Sequence, residues 1–257
     1  MSVKLKVCTF NLRTPVKDDG INYFPNRTGR ILDVIKEENP DLIGFQEVAD
    51  MTRKWLRDAL TDYIVVGCGR DKGLKGESMV IAYRRNCFDM ISMDTFWLST
   101  APSVPGSRYG VDQSGCARAT TAVVLKHDDF EKPFLFLNTH LDHQGQQARM
   151  FGAIQILQYI SEKNLPFVLT GDMNALPESP EMQALVNCKY RAVVDITAGI
   201  DGTFHNYGRR ATMSKIDYIF TDMQSDAAES YAYNDVPVEG LYVSDHLPVF
   251  GFVTLGE

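Results

Sequence analysis

Pro40-Asp41-Leu42-Ile43-Gly44-Phe45-Gln46-Glu47-Val48 joins a helix stop to a short apolar strand and sets a carboxylate at its end. Upstream, Ile31, Val34 and Ile35 recur at helical spacing, which predicts a helix over 28–38 that Asn39-Pro40 terminates. Leu42 to Gln46 then reads as a strand, with Glu47 just beyond it. Further upstream, Val3, Leu5 and Val7 alternate with Lys4 and Lys6, the period of a strand over 4–11 that finishes on Asn11. Both strands thus end in a hard oxygen donor, the ligand type that Mg²⁺ or Mn²⁺ prefers.

The same reading extends downstream. Thr52 is expected to cap a helix that carries Trp55, Leu56 and Leu60 inward. Strands are expected at 63–66, 79–84, 88–96, 120–126 and 134–139. The strongest helix is 146–162, where Met150, Ala153, Ile154, Leu157 and Ile160 share one face. A buried strand at 166–170, a short helix at 181–186 and strands at 192–196, 215–220, 227–233 and 249–254 complete the chain. Strands outnumber helices, and many neighbours are close enough to pair antiparallel. No repeat or low-complexity linker divides the chain. One domain over 1–257 is expected, with two mixed sheets packed together and helices outside. Loops 102–115 and 201–214 are long and offer a natural rim for a site.

Composition narrows the classes. A chain that is 44% hydrophobic and 23% charged is an ordinary globular one. Its net charge of −7 argues against tight, non-specific binding to long nucleic acids, although a bound cation changes the local field. Five cysteines without a CxxC leave no disulfide framework or structural zinc site, and Cys8 and Cys87 read as core thiols. The alternating N-terminus is not a signal peptide, and no apolar run reaches membrane-spanning length. The cytoplasm is the expected location.

Polar clusters close the other strands. Asn138-Thr139-His140 follows an apolar strand, and an imidazole there can bind a phosphoryl oxygen or move a proton. Glu77 could fix its tautomer. The next residues, Asp142 and His143, read as a helix-start cluster with Asp142 as cap. Asp172 and Asn174, two positions apart, fall on one side of an extended chain. Asp217 lies inside the apolar run Lys215-Ile216-Asp217-Tyr218-Ile219-Phe220, where a carboxylate needs a partner, and His246 of Ser244-Asp245-His246 would satisfy it.

In this order, Thr9-Phe10-Asn11, Gln46-Glu47, Asn138-Thr139-His140, Gly171-Asp172-Met173-Asn174, Ile216-Asp217-Tyr218 and Ser244-Asp245-His246 resemble the endonuclease/exonuclease/phosphatase superfamily, the DNase I-like hydrolases. The resemblance runs from residue 7 to about residue 253. It implies a four-layer α/β sandwich of two mainly antiparallel sheets and Mg²⁺- or Mn²⁺-dependent hydrolysis of a phosphate ester. It further implies that Glu47 is the principal metal ligand, with Asn11 and Asp245 near or on the metal. His246, paired with Asp217, is then the catalytic acid/base. Asp172 and Asn174 orient water and phosphate, and His140 contacts the phosphate with Glu77 behind it. Arg118 resembles an arginine facing that phosphate; an exposed arginine at a strand start fits it equally well.

The superfamily does not choose a substrate. The rim loops carry Arg108, Tyr109, Asp112, Phe204, His205, Tyr207, Arg209 and Arg210, which suit a base or a sugar ring alike. Trp97 reads first as loop packing. Compact length and acidity favour a phosphorylated small molecule or short nucleotide. A nuclease acting on DNA or RNA is the alternative, and a binding module without catalysis comes third.

Overall fold

β1 (Val3–Asn11) pairs in parallel with β2 (Leu42–Val48), and α1 (Phe24–Glu38) makes the crossover between them. The computed structural model describes residues 2–256. After β2 come α2 (Asp50–Ala59), β3 (Tyr63–Val66), β4 (Ser78–Arg84), β5 (Phe88–Trp97), β6 (Ala119–His127) and β7 (Phe130–His140). α3 (Gln146–Lys163) crosses to β8 (Phe167–Asp172), parallel to β7. α4 (Pro180–Val186), β9 (Val194–Asp195), β10 (Asp217–Thr221), β11 (Gln224–Ser225), β12 (Tyr231–Ala232) and β13 (Val249–Leu255) follow. One sheet runs β11-β13-β1-β2-β4-β3, with β12 also on β13; the other runs β5-β6-β7-β8-β10-β9. All other pairings are antiparallel, and each sheet contains one parallel strand–helix–strand unit.

Strand period distributes the apolar side chains into layers. Leu5 and Val7 of β1, Phe134 and Phe136 of β7, Val168 of β8 and Ile219 of β10 share the core between the two sheets. The alternate residues Cys8 and Phe10 face α1 and α2, meeting Ile31, Val34, Ile35 and Leu56. Leu135, Leu137 and Leu169 face the α3–α4 layer with Ile156, Ile160, Met182 and Leu185. The result is helix, sheet, sheet, helix, the expected four-layer α/β sandwich. Among the described residues, no helix is long and apolar enough to cross a membrane.

Several local expectations need correction. α1 starts at Phe24, four residues before the expected 28, because Pro25 is pre-set for a first helical turn. Ala49, not Thr52, precedes α2, and Thr52 is buried with its hydroxyl unpartnered. The inward face of α3 is Ala148, Gly152, Ala153, Ile156 and Ile160, while Ile154 is 41% exposed. Gly152 sets this rotation, since a Cβ there would lie 3.1 Å from Leu98 and 3.3 Å from Leu141. The segment expected as a strand at 227–233 is a 3₁₀ turn, Ala227–Glu229, followed by the short β12. Asp226 accepts from the Ala228 N–H and diverts the chain into that turn. Cys8 is buried as expected, whereas Cys87 is only half-buried.

The sheets approach closely at Gly44. A Cβ there would fall 2.0 Å from Thr170 Oγ1 and 2.7 Å from Asn138 Oδ1. Asn138 meanwhile donates to the carbonyls of Phe45 and Val80 and accepts from Gln46 Nε2, tying one sheet to the other. Gly44→Ala should therefore cost about 1–3 kcal/mol by overpacking, read as a lower urea midpoint. An unchanged midpoint would mean that the sheets can separate here without cost.

Candidate active site

The inter-sheet face turns polar at one end of the strands and carries the site. Along β1 the inward series is Leu5, Val7, Thr9, Asn11; along β7 it is Phe134, Phe136, Asn138, His140; along β8 it is Val168, Thr170, Asp172. β10 brings Asp217 in line with Ile219. Register completes the arrangement, because Asp172 pairs with His140 on one side and with Asp217 on the other. Of these, His140 and Asp172 border a cleft of about 390 Å³ that Glu47, Asp245 and His246 also line, and Asn11 and Asp217 are hydrogen-bonded to its lining residues.

His246 Nδ1 donates to Asp217 Oδ2 at 2.8 Å, and its Nε2 lies 3.8 Å from Asp172 Oδ2. Thr203 Oγ1 also donates to Asp217 Oδ2 at 2.6 Å, fixing the carboxylate from the other side. Burial alone would lower the imidazole pKa. Asp217, Asp172 and Asp245 overcome it and push the group up to about 10, so it is cationic at neutral pH. Asp172 goes the other way for a carboxylate, pushed up to about 7 by burial and by Asp217. Phe204 covers the imidazole with ring centroids 4.7 Å apart. It reaches the cleft because loop 201–214 bridges through Phe204 to both Ser214 and His246.

Glu47 sits on a bulge of β2 with φ 56°, the left-handed region that a non-glycine residue rarely adopts. Its Oε2 accepts from the Thr14 N–H at 2.8 Å. Burial would raise the Glu47 carboxyl, but that hydrogen bond, with His246 and Arg13, holds it below the usual range. The Asn11 amide nitrogen spans Glu47 Oε1 at 3.2 Å and Asp172 Oδ2 at 2.9 Å, while its oxygen accepts from the Arg13 N–H. Asn11 therefore clamps two acids together, and its oxygen is already engaged. Asp245 is buried beside Arg13, whose Nε is 3.8 Å from Oδ2.

The remaining wall is basic. Burial, with Arg118 and Arg70 nearby, keeps the His140 pKa well below its ordinary value, so this imidazole is neutral. Asn174 Nδ2 bonds His140 Nε2 at 2.9 Å and the Leu141 carbonyl at 3.1 Å, which places the His140 proton on Nδ1. Asn174 thus holds His140, and both of its amide hydrogens are committed. Glu77 does not fix His140 as expected: His140 Nδ1 has no partner, and Glu77 pairs with Arg70 at 2.7 Å. The cause is the β3–β4 connection, where the Arg70 N–H bonds the Glu77 carbonyl and brings the two side chains together. Arg118 is buried and lines the cleft. Its Nε donates to Asp142 at 3.3 Å and its Nη2 meets His143 Nδ1 at 2.8 Å.

Asp142 does not cap α3 as expected: it accepts from the Gln144 and Gly145 N–H groups ahead of the helix and from Ser114, while the first-turn N–H groups of Gln147 and Ala148 go to Asp112. His143, read as part of that cap, belongs to the cleft through Arg118. Arg13, Thr14, Arg70 and Thr203 carry no motif and were not legible; Arg70 alone had a signal, its place across a hairpin from Glu77. Most rim residues pack elsewhere. Tyr109 bonds Gln155 on α3, Arg108 bonds the Ser114 carbonyl, and Asp112 accepts from the first turn of α3. Tyr207 is buried against Tyr242, Arg209 lies over Tyr207, and Trp97 is buried with its N–H on the Arg70 carbonyl. Arg210 stacks on Phe204, 5.1 Å from its ring centre.

The donor set fits a hard divalent cation. Glu47, Asp172 and Asp245 crowd one cleft as hard oxygen donors, and the Asp172 carboxyl is raised by burial first and by the neighbouring Asp217 second. Donor atoms of Asp172, Asp217 and His246 also lie within 4.8 Å of one another. In that group His246 and Asp217 are already bonded to each other at 2.8 Å, whereas Glu47 and Asp245 make no hydrogen bond to the imidazole.

Acids grouped for a cation beside buried guanidinium groups and a charged His–Asp pair define a phosphoester hydrolase site. The profile of the Endonuclease/Exonuclease/phosphatase family matches residues 8–246, and the chain belongs to that family of phosphoester hydrolases. Among solved structures, an endonuclease/exonuclease/phosphatase from Bacteroides vulgatus is 29% identical with a TM-score of 0.87, covering 99% of this chain and 100% of its own. A mannosyl-6-phosphatase from Bacteroides thetaiotaomicron is 30% identical with a TM-score of 0.82, covering 98% and 100%. An uncharacterised protein of Acanthamoeba polyphaga mimivirus is 24% identical over 249 residues, 87% of this chain and 90% of its own.

Proposed function

We propose that this chain is a Mg²⁺- or Mn²⁺-dependent hydrolase of a small phosphorylated substrate. The observation that carries the reading is His246, held by Asp217 and facing Asp172 in a cleft that also contains Glu47 and Asp245. Glu47 and Asp245 would hold the cation, with Asn11 keeping Glu47 and Asp172 in position. Bound there, the cation would supply Lewis-acid stabilisation of charge on the phosphoryl and leaving oxygens.

The chain's own groups divide the remaining work. In-line displacement puts the entering and leaving oxygens on opposite sides of phosphorus. Asp172 and His246 are 3.8 Å apart, too close to serve opposite sides. Asp172, poised near neutrality, takes the proton of the attacking water. His246 is already protonated and donates to a non-bridging phosphoryl oxygen as charge builds on it. This narrows the acid/base role expected of His246 to that of a donor.

A small substrate is supported by the confined cleft, by the net charge of −7 and by the likeness to a mannosyl-6-phosphatase. The decisive assay offers model phosphomonoesters, model diesters and single- and double-stranded nucleic acids with Mg²⁺ or Mn²⁺. Turnover confined to nucleic acid would replace this reading with a nuclease. Excess EDTA should abolish activity and added Mg²⁺ or Mn²⁺ restore it; full activity in EDTA would remove the cation from the reaction.

A further inference from the structure

Arg70, Arg118 and His140 share an unusual property. All three line the cleft and are 3–6% exposed. In each, one nitrogen is shielded from bulk water without a hydrogen-bond partner: Nη1 of Arg70, Nη1 of Arg118 and Nδ1 of His140. Leaving such donors unmet is costly, the more so on a guanidinium. Each group is also held by at least one committed nitrogen. Arg70 Nη2 is on Glu77, Arg118 Nε and Nη2 are on Asp142 and His143, and His140 Nε2 is on Asn174. The committed contacts fix the orientation of each group and leave one donor over, which is preorganisation for an anion.

We propose that Arg70 and Arg118, with His140, form a seat that selects a terminal phosphate, which makes the chain a phosphomonoesterase in preference to a diesterase. The inference rests on the phosphoester reading above and adds the substrate class. A phosphomonoester dianion presents three non-bridging oxygens, as many as there are unmet donors in this wall. A diester presents two and carries one charge fewer, so it leaves a buried cationic donor unsatisfied.

The wall is also closed from behind. Trp97 donates to the Arg70 carbonyl, and the Leu98 N–H donates to the Arg118 carbonyl. Met79, Trp97, Ala117 and Ala119 form a buried cluster there. A phosphate seated against the wall has no path through it for a second ester arm. Sequence order hid this, since Arg70 and Arg118 sit on separate connections that only the β4–β6 neighbourhood brings together.

The test compares p-nitrophenyl phosphate with bis-(p-nitrophenyl) phosphate in Mg²⁺, using wild type, Arg70→Gln and Arg70→Lys. Wild type should favour the monoester in kcat/KM. Arg70→Gln should lose about 10²-fold on the monoester and only a few-fold on the diester, with partial recovery in Arg70→Lys. Equal losses on both esters, or a wild-type preference for the diester, would overturn the seat and leave the phosphoester reading intact. No turnover of either ester in Mg²⁺ or Mn²⁺ would remove both. Calorimetry on the wild-type protein in Mg²⁺ gives a readout independent of variant folding and of turnover. Inorganic phosphate should bind at least about 10-fold more tightly than dimethyl phosphate. Equal affinity for the two would overturn the seat.

Discussion

His246→Ala should cut kcat at least about 10²-fold, with KM changing far less, because the lost hydrogen bond strengthens only as charge develops on the phosphoryl oxygens. The imidazole is 4% exposed and surrounded by Asp217, Asp172 and Asp245, which keep it charged despite burial. Removing it leaves three buried carboxylates without their shared cation, so the thermal stability of the variant must be measured beside its rate. Asp217→Asn separates the two effects. It keeps the shape of the side chain but withdraws the charge that orients and protonates His246, and its loss should be of the same order. The double variant should be no slower than the worse single one, since the two residues act as a unit. Near-normal turnover in His246→Ala, or losses that multiply in the double variant, would detach the pair from the chemistry.

What the sequence showed and what it hid follow one physical division. The strands were legible from alternating or continuous apolar runs, and Asn11, His140, Asp172 and Asp217 from their place at the ends of or inside those runs; the face they share emerges from the strand registers. The pairing of Asp217 with His246 was legible because a carboxylate inside an apolar strand demands a partner. Contacts made between loops left no such trace. Glu77 was expected to fix the His140 tautomer because an imidazole needs such a partner, while hairpin geometry gave Glu77 to Arg70. Asp142 and His143 looked like a helix start because they lie just ahead of α3, but Asp112 from a distant loop takes the first-turn N–H groups, and His143 meets Arg118 from another part of the chain. The α3 face was misjudged because hydrophobicity alone favoured Ile154, whereas close packing at Gly152 turned the helix.

Glu47→Gln is the substitution that locates the cation. Glutamine can still accept the Thr14 N–H and still lie on the bulge at positive φ, so shape is kept and one negative charge is lost. A unit charge about 4 Å from a cation is worth on the order of 4 kcal/mol at the effective dielectric of a protein surface, so Mg²⁺ or Mn²⁺ affinity should fall by at least about 10²-fold. Turnover at limiting cation should fall by a similar factor and recover in part as the cation is raised. Asp217→Asn should behave in the opposite way, with cation affinity within about 3-fold of wild type and turnover not rescued by added cation. The contrast follows from geometry. Asp217 spends one oxygen on His246 and Thr203, whereas Glu47 and Asp245 face the cleft with no such commitment to the imidazole. Calorimetric titration of both variants with Mn²⁺ reads the difference without relying on activity. If Asp217→Asn loses the cation and Glu47→Gln keeps it, the ion belongs among Asp172, Asp217 and His246 instead.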